Sequence, residues 1–290
     1  MFIIRGFPVW HKLTLVCYTE SNMLVAVDTG GTKTLVAVFD TDGSVVDSVK
    51  FPTPLDTHLF IRELDAVIDS LINKNELDAI AIALPGRIRD GVMLSAGNLK
   101  WKHFDIAARL KDHFGVKILV ENDANLAGLA ETRALSKIPA RSLYITVSTG
   151  IGTGSITHGA IDEDLSESEG GQIMLEHNGV LLEWEKFASG QAIHKKYGKY
   201  AYQITSKRAW YDIAKDINKG IVCLAPTLRP DIIIIGGSIG THFAHYGDTL
   251  NALAKEYLHY GNVPHIVQAK HPEEAVIYGC YYYAVDRLAD

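Results

Sequence analysis

Three strands of this chain end in glycine turns, and their order along the sequence restricts the fold more than any other feature. They are Asp28-Thr29-Gly30-Gly31-Thr32-Lys33-Thr34, then Ser148-Thr149-Gly150-Ile151-Gly152-Thr153-Gly154, and finally Gly236-Gly237 after the isoleucines at 232–235. In the first, two β-branched runs flank the turn, so backbone N–H groups can face a bound anion with no Cβ in the way. A phosphate is the natural guest, and Asp28 at the strand end could hold a water on Mg²⁺. Taken alone, the same residues are also a tight hairpin. Asp-Thr-Gly resembles one half of an aspartic protease dyad, but that chemistry needs two facing carboxylates, and no second Asp-Thr-Gly or Asp-Ser-Gly occurs. The second turn has glycine at alternate positions and a strand after it, which departs from the dinucleotide fingerprint that opens a helix. The third ends a buried strand, and open α/β sheets bind ligands at the carboxyl ends of their strands. The ordered set describes a nucleotide held between two domains.

The periodicity around these turns predicts an α/β chain. Residues 24–51 read as a three-stranded meander, 58–73 as an amphipathic helix, 79–86 as a buried strand, and 105–115 as a helix capped by Asp105 and ended by Gly115. After the strand VKILVEN, residues 142–159 repeat the opening pattern of strand, glycine turn, strand. That recurrence predicts a duplicated fold. Further helices are expected at about 183–199, at 207–225 with Pro226 ending it, and at the C-terminus. The expected organisation is an N-terminal extension at 1–22, a small domain at 23–121 joined by the helix at 276–290, and a large domain at 122–275.

Composition narrows the partners. With 28 basic and 34 acidic residues, the formal charge of −6 offers no field for a nucleic-acid backbone or an anionic membrane surface. No apolar run reaches the length of a membrane helix, and residues 1–22 lack the long apolar stretch and cleavage site of a signal peptide. Cys17, Cys223 and Cys280 are odd in number and widely spaced, which predicts neither disulfides nor a thiolate metal site and suits a reducing cytoplasm. The aromatic run Tyr281-Tyr282-Tyr283 fits either a core or a subunit interface, so a homodimer stays open.

Glu121-Asn122-Asp123-Ala124-Asn125 follows a strand, which puts Asp123 at a carboxyl edge where a carboxylate can take the proton of an attacking hydroxyl. An Asx turn or a helix N-cap explains the same residues without function. The motifs DTGGTKT, ENDAN, STGIGTG, EKFASG and IIIIGGSIG, in this order over nearly all of 23–290, resemble the ROK family of sugar kinases and sugar-responsive repressors. The resemblance implies the two-domain actin-like fold with an interdomain cleft, ATP and Mg²⁺ as cofactors, and transfer of the γ-phosphoryl group to a hexose. It assigns Asp123 as the base. It puts Gly30, Gly31, Thr32, Lys33, Thr149, Gly150 and Gly152 on the phosphates, Gly236 and Gly237 near the adenosine, and Asn98, Asn122 and Glu185 on the sugar. The family's repressors carry an N-terminal winged-helix domain, for which 22 residues leave no room, so DNA binding is disfavoured.

The chain also departs from the family pattern. Where many members read Gly-Glu-Ile-Gly-His, this sequence has Gly171-Gln172-Ile173-Met174-Leu175, so Gln172 replaces a sugar-binding glutamate and Leu175 a histidine. No cysteine-rich loop follows, which predicts no structural zinc. His177 is expected in a surface loop. Because an amide offers one acceptor and one donor group where a carboxylate accepts twice, the sugar is left open, and a sensor that binds sugar or nucleotide without transfer is the alternative reading.

Overall fold

The computed structural model describes residues 23–72, 76–96, 99–259, 261, 263–272 and 274–289. The expectations for residues 1–22 and for Asn98 lie outside them. Two compact units divide the described chain, residues 23–126 with 276–289, and residues 127–275. This division puts Asn122 and Asp123 in the first unit, whereas the sequence reading opened the second domain with them.

The first unit begins with the antiparallel meander β1 (Met23–Thr29), β2 (Lys33–Phe39) and β3 (Val45–Pro52). β1 reads as a continuous apolar run because it is central: Leu24 to Val27 are all buried. Asp56 caps α1 (Thr57–Leu71), accepting from the His58 and Leu59 N–H groups, and the helix buries Phe60, Leu64 and Ile68 at intervals of four. β4 (Leu77–Leu84) follows, then a small antiparallel sheet of β5 (Arg87–Arg89), β6 (Val92–Ser95) and β7 (Lys102–Phe104). Asp105 caps α2 (Ile106–Phe114), and Gly115 ends it at φ 67°. β8 (Lys117–Asn122) runs straight into α3 (Asp123–Arg133). The sheet order is β3-β2-β1-β4-β8, with β1, β4 and β8 parallel, so the carboxyl ends of these three strands share one edge.

The second unit repeats the plan. β9 (Arg141–Val147), β10 (Ile151–Thr157) and the short β11 (Ala160–Ile161) form the meander. A hairpin of β12 (Met174–His177) and β13 (Val180–Glu183) leads into α4 (Glu185–Ala188) and α5 (Gly190–Tyr197). The long α6 (Lys207–Leu228) precedes β14 (Ile232–Gly236), the single turn α7 (Gly237–Gly240), α8 (Gly247–Tyr257) and β15 (His265–Gln268). The order β11-β10-β9-β14-β15, with β9, β14 and β15 parallel, matches the first sheet strand for strand. Ile213, Ile217 and Ile221 of α6 cover it together with Trp210. This duplicated arrangement is the actin-like fold. α9 (Ala275–Ala289) closes the chain, and from Val276 on it belongs to the first unit, where Tyr281 stacks on Phe39 at 4.9 Å and Tyr278 meets the same ring edge-on.

Two sequence expectations need correction. The helix expected at 183–199 is two helices, because Ser189 is extended (ψ 165°) and caps α5 by accepting from the Ala192 N–H. Pro226 lies inside α6 rather than ending it; the helix stops three residues later at Arg229, in the left-handed region at φ 51°.

Candidate active site

At the shared edge of the first sheet, Asp28 stands near the end of β1, paired in register with Leu35 and Ala83. Burial pushes its carboxyl up from 3.8 to about 6, with the positive charge of Lys50 acting the other way. Behind it, the Cys280 thiol donates to the Val27 carbonyl, and burial together with Asp28 pushes that thiol up so that it stays neutral. The glycine turn follows, with the Gly30 N–H donating to the Lys33 carbonyl at 2.9 Å and Thr32 and Lys33 exposed. A Cβ on Gly30 would stand 3.0 Å from the Lys33 carbonyl oxygen.

On the same edge, the end of β8 places Asn122 and Asp123. The Asn122 Oδ1 accepts from the Ala124 and Asn125 N–H groups at 2.8 and 3.1 Å, and its Nδ2 donates to the Gly86 carbonyl at 2.9 Å. Asn122 is therefore the N-cap of α3, and its amide keeps one donor hydrogen beyond these bonds. Gly86 itself, at φ 86°, has no room for a side chain, since a Cβ would lie 2.2 Å from the Ser95 carbonyl oxygen. Asp123 is half-buried, and its Oδ1 accepts from the Ala124 N–H at 2.8 Å. Glu121 steadies the segment by accepting from the Asn122 N–H and from Asn125 Nδ2.

The parallel strands of the second unit bring Ser148 to Gly150 and Gly236-Gly237 to one edge. The Ser148 N–H donates to the Gly150 carbonyl at 2.9 Å, and the Ser148 carbonyl accepts from the Gly190 N–H at 2.6 Å. Thr149 at the tip is exposed, and Gly152 lies in β10 opposite Thr146. Gly237 has φ 74°, and a Cβ there would press on Thr146 Oγ1 and the Val147 carbonyl at 2.6 Å. Gly236 is needed for packing, because the Tyr144 hydroxyl stands 2.1 Å from where its Cβ would be.

Glu185, the first residue of α4, reaches this same turn. Its Oε2 accepts from the Ile151 N–H at 3.5 Å, its Oε1 pairs with Lys186 Nζ at 2.6 Å, and a Cβ on Gly150 would lie 2.7 Å from Oε2. Gln172 is exposed on a 3₁₀ turn over Gly170–Gln172, while Leu175 packs against the core of the unit. His177 corrects the sequence expectation. It is no loop residue: alternation along β12 turns it to the same face as Leu175, where its ring stacks on Phe187 at 4.3 Å. Its Nδ1 lies 3.6 Å from Asp216, which pairs with Lys196 Nζ at 2.9 Å. Among the described residues no group of three or more His, Cys, Asp or Glu side chains gathers to hold a metal, and no helix is long and apolar enough to cross a membrane. Sequence reasoning passed over Lys186, Asp216 and Thr53.

Comparison with known proteins agrees on one family. The sequence pattern described as the ROK family matches residues 24–287. A fructokinase from Pediococcus pentosaceus is 27% identical over 240 residues, 75% of this chain and 80% of that protein. An N-acetylmannosamine kinase from Escherichia coli (strain SE11) is 34% identical over 144 residues, 47% of this chain and 48% of the other. The crystal structure of a ROK family glucokinase from Streptomyces griseus, in complex with glucose and AMPPNP, superposes with a TM-score of 0.76 at 22% identity over 91% of this chain and all of that one (100%), a likeness of fold.

Proposed function

The chain belongs to the ROK family, and from that premise we propose that it is a sugar kinase transferring the γ-phosphoryl group of ATP to a hexose hydroxyl. The observation that carries this reading is Asp123 at the junction of β8 and α3, on the same sheet edge as the Asp28 turn. One carboxylate is thus available to a hydroxyl and another to the phosphate side. Phosphoryl transfer asks a protein chiefly for positioning and charge compensation, and both can be supplied from these edges.

In this mechanism Asp123 accepts the proton of the sugar hydroxyl as its oxygen attacks the terminal phosphorus. Its orientation is set by the Ala124 N–H and by the capped start of α3. The turn at Gly30 to Lys33 and the loop at Thr149, Gly150 and Gly152 hold the phosphates through backbone N–H groups, and Gly236-Gly237 lie toward the nucleoside. Asn122 offers the sugar its one remaining amide hydrogen, and Glu185 offers an acceptor; Asn98 and Gln172 complete the proposed set. Asp28 fits a hydrated Mg²⁺, because a carboxylate pushed up to about 6 by burial, with Lys50 offsetting only part of that cost, gains from a cation. Held there, the ion would supply positive charge that compensates the phosphates during transfer.

The named relatives act on different sugars, and the region where this chain departs from the family motif, Gln172 to Trp184, supports a choice of sugar of its own. Exposed Gln172 and core-packed Leu175 also motivate a second reading, a sensor that binds sugar or nucleotide without transfer. A coupled ADP-release assay across hexoses and amino sugars separates the two. Turnover with at least one sugar, abolished in Asp123→Ala, is expected; calorimetric sugar binding with no turnover on any sugar would favour the sensor.

A further inference from the structure

The first glycine turn is held from outside its own hairpin. Thr53 follows β3 and is buried between Pro52 and Pro54, two residues with no N–H to give. It supplies both donors of that triplet. Its N–H donates to the Thr32 carbonyl at 3.0 Å, and its hydroxyl donates to the Gly30 carbonyl at 2.8 Å. A threonine hydroxyl has one hydrogen. Since that hydrogen goes to Gly30, the 2.9 Å contact between Thr34 Oγ1 and Thr53 Oγ1 has Thr34 as its donor. The position of Thr53 is fixed in turn: the next residue but one, Leu55, accepts from Trp101 Nε1 through its carbonyl at 2.8 Å, and Asp56 caps α1.

In a planar trans peptide the carbonyl and the following N–H point in opposite directions. Drawing the Gly30 carbonyl onto the Thr53 hydroxyl therefore turns the Gly31 N–H away from Thr53. We propose that Thr53 is a positioning residue for the nucleotide: it never touches the phosphates, but it sets the peptide plane whose N–H binds them. This rests on the reading of the turn at Gly30 to Lys33 as a phosphate cradle.

The test is calorimetric titration of the full chain with AMPPNP and Mg²⁺, alongside steady-state kinetics and thermal melting. Wild type should bind. Thr53→Val, which keeps the shape and loses the hydroxyl, should bind about tenfold more weakly, the effect of one lost hydrogen bond. The KM for ATP should rise to match while the KM for the best sugar of the panel holds. Thr53→Ser should restore binding to within about twofold of wild type, since it restores that bond. Thr34→Val removes a neighbouring buried hydroxyl but leaves the Thr53 to Gly30 bond, so it should bind AMPPNP as wild type does even if its melting point falls. Should Thr53→Val fail to fold, Thr53→Ala carries the same comparison against Thr34→Val. Undiminished affinity in Thr53→Val, an equal loss in Thr34→Val, or a parallel rise in the sugar KM would each overturn the proposal while leaving the kinase reading intact. A wild-type chain that binds no AMPPNP would overturn both.

Discussion

Asp28 is a buried carboxyl that the folded chain would rather keep protonated. Its pKa rises from 3.8 to about 6, so the folded state binds the proton more tightly than the unfolded chain does. Folding is therefore most favoured where the group is protonated, and stability falls as pH rises from about 4 to about 6, by on the order of 3 kcal/mol for a two-unit shift. Asp28→Asn should remove that slope and melt at higher urea than wild type at pH 7, while losing phosphoryl transfer. Equal urea midpoints for the two proteins at pH 7 would contradict this account of the site. Asn122 gives a second test at the same scale. As the N-cap of α3 it should cost about 1 kcal/mol on replacement by Ala, whereas Asn122→Asp retains the capping oxygen and should recover most of that loss in denaturant melts.

At the scale of elements, the hairpin of β12 and β13 shows both what the sequence reveals and where it misleads. The turn is Asn178-Gly179, with φ of 54° and 80°, and Asn-Gly between apolar runs is a strong short-range hairpin signal. It was legible. The expected elements pass from the glycine-turn strands at 142–159 to the helix at 183–199 and leave the hairpin out, because the apolar run Val180-Leu181-Leu182 lies directly before that helix. The single helix expected at 183–199 divides at Ser189-Gly190, where the serine caps the second helix although apolar residues continue on both sides of it. By contrast, β1, β4, β8, β9 and β14 are plain, because the strands of a parallel sheet covered on both faces read as near-continuous apolar runs. The packing of Trp184 could not be read at all. Its ring is fully buried and lies 2.2 Å from where a Cβ on Gly220 would be, a contact between residues far apart in the chain. Gly220→Ala should destabilise the second unit by about 1–3 kcal/mol through overpacking, visible as a lower thermal midpoint. A neutral substitution would show that the ring can move aside.

For the molecule as a whole, the informative fact is that two sheets of identical strand order carry the candidate residues at equivalent edges, where the parallel strands of each unit end. The recurrence of strand, glycine turn and strand predicted this duplication, and the glycine turns marked the loops at those edges. Roles inside the site were less legible. The sequence offered both a sugar ligand and an N-cap for Asn122, and only the hydrogen bonds show how little of its amide is left for a ligand. Thr53 carried no motif, since its partners are backbone carbonyls on another strand. The central claim, phosphoryl transfer to a sugar with Asp123 as the base, is tested most directly by coupled ADP release measured for wild type and Asp123→Ala across a panel of hexoses and amino sugars. The account predicts turnover on at least one sugar that falls by about 10²–10⁴-fold in the variant, with AMPPNP affinity unchanged. Wild-type turnover that survives Asp123→Ala would contradict it.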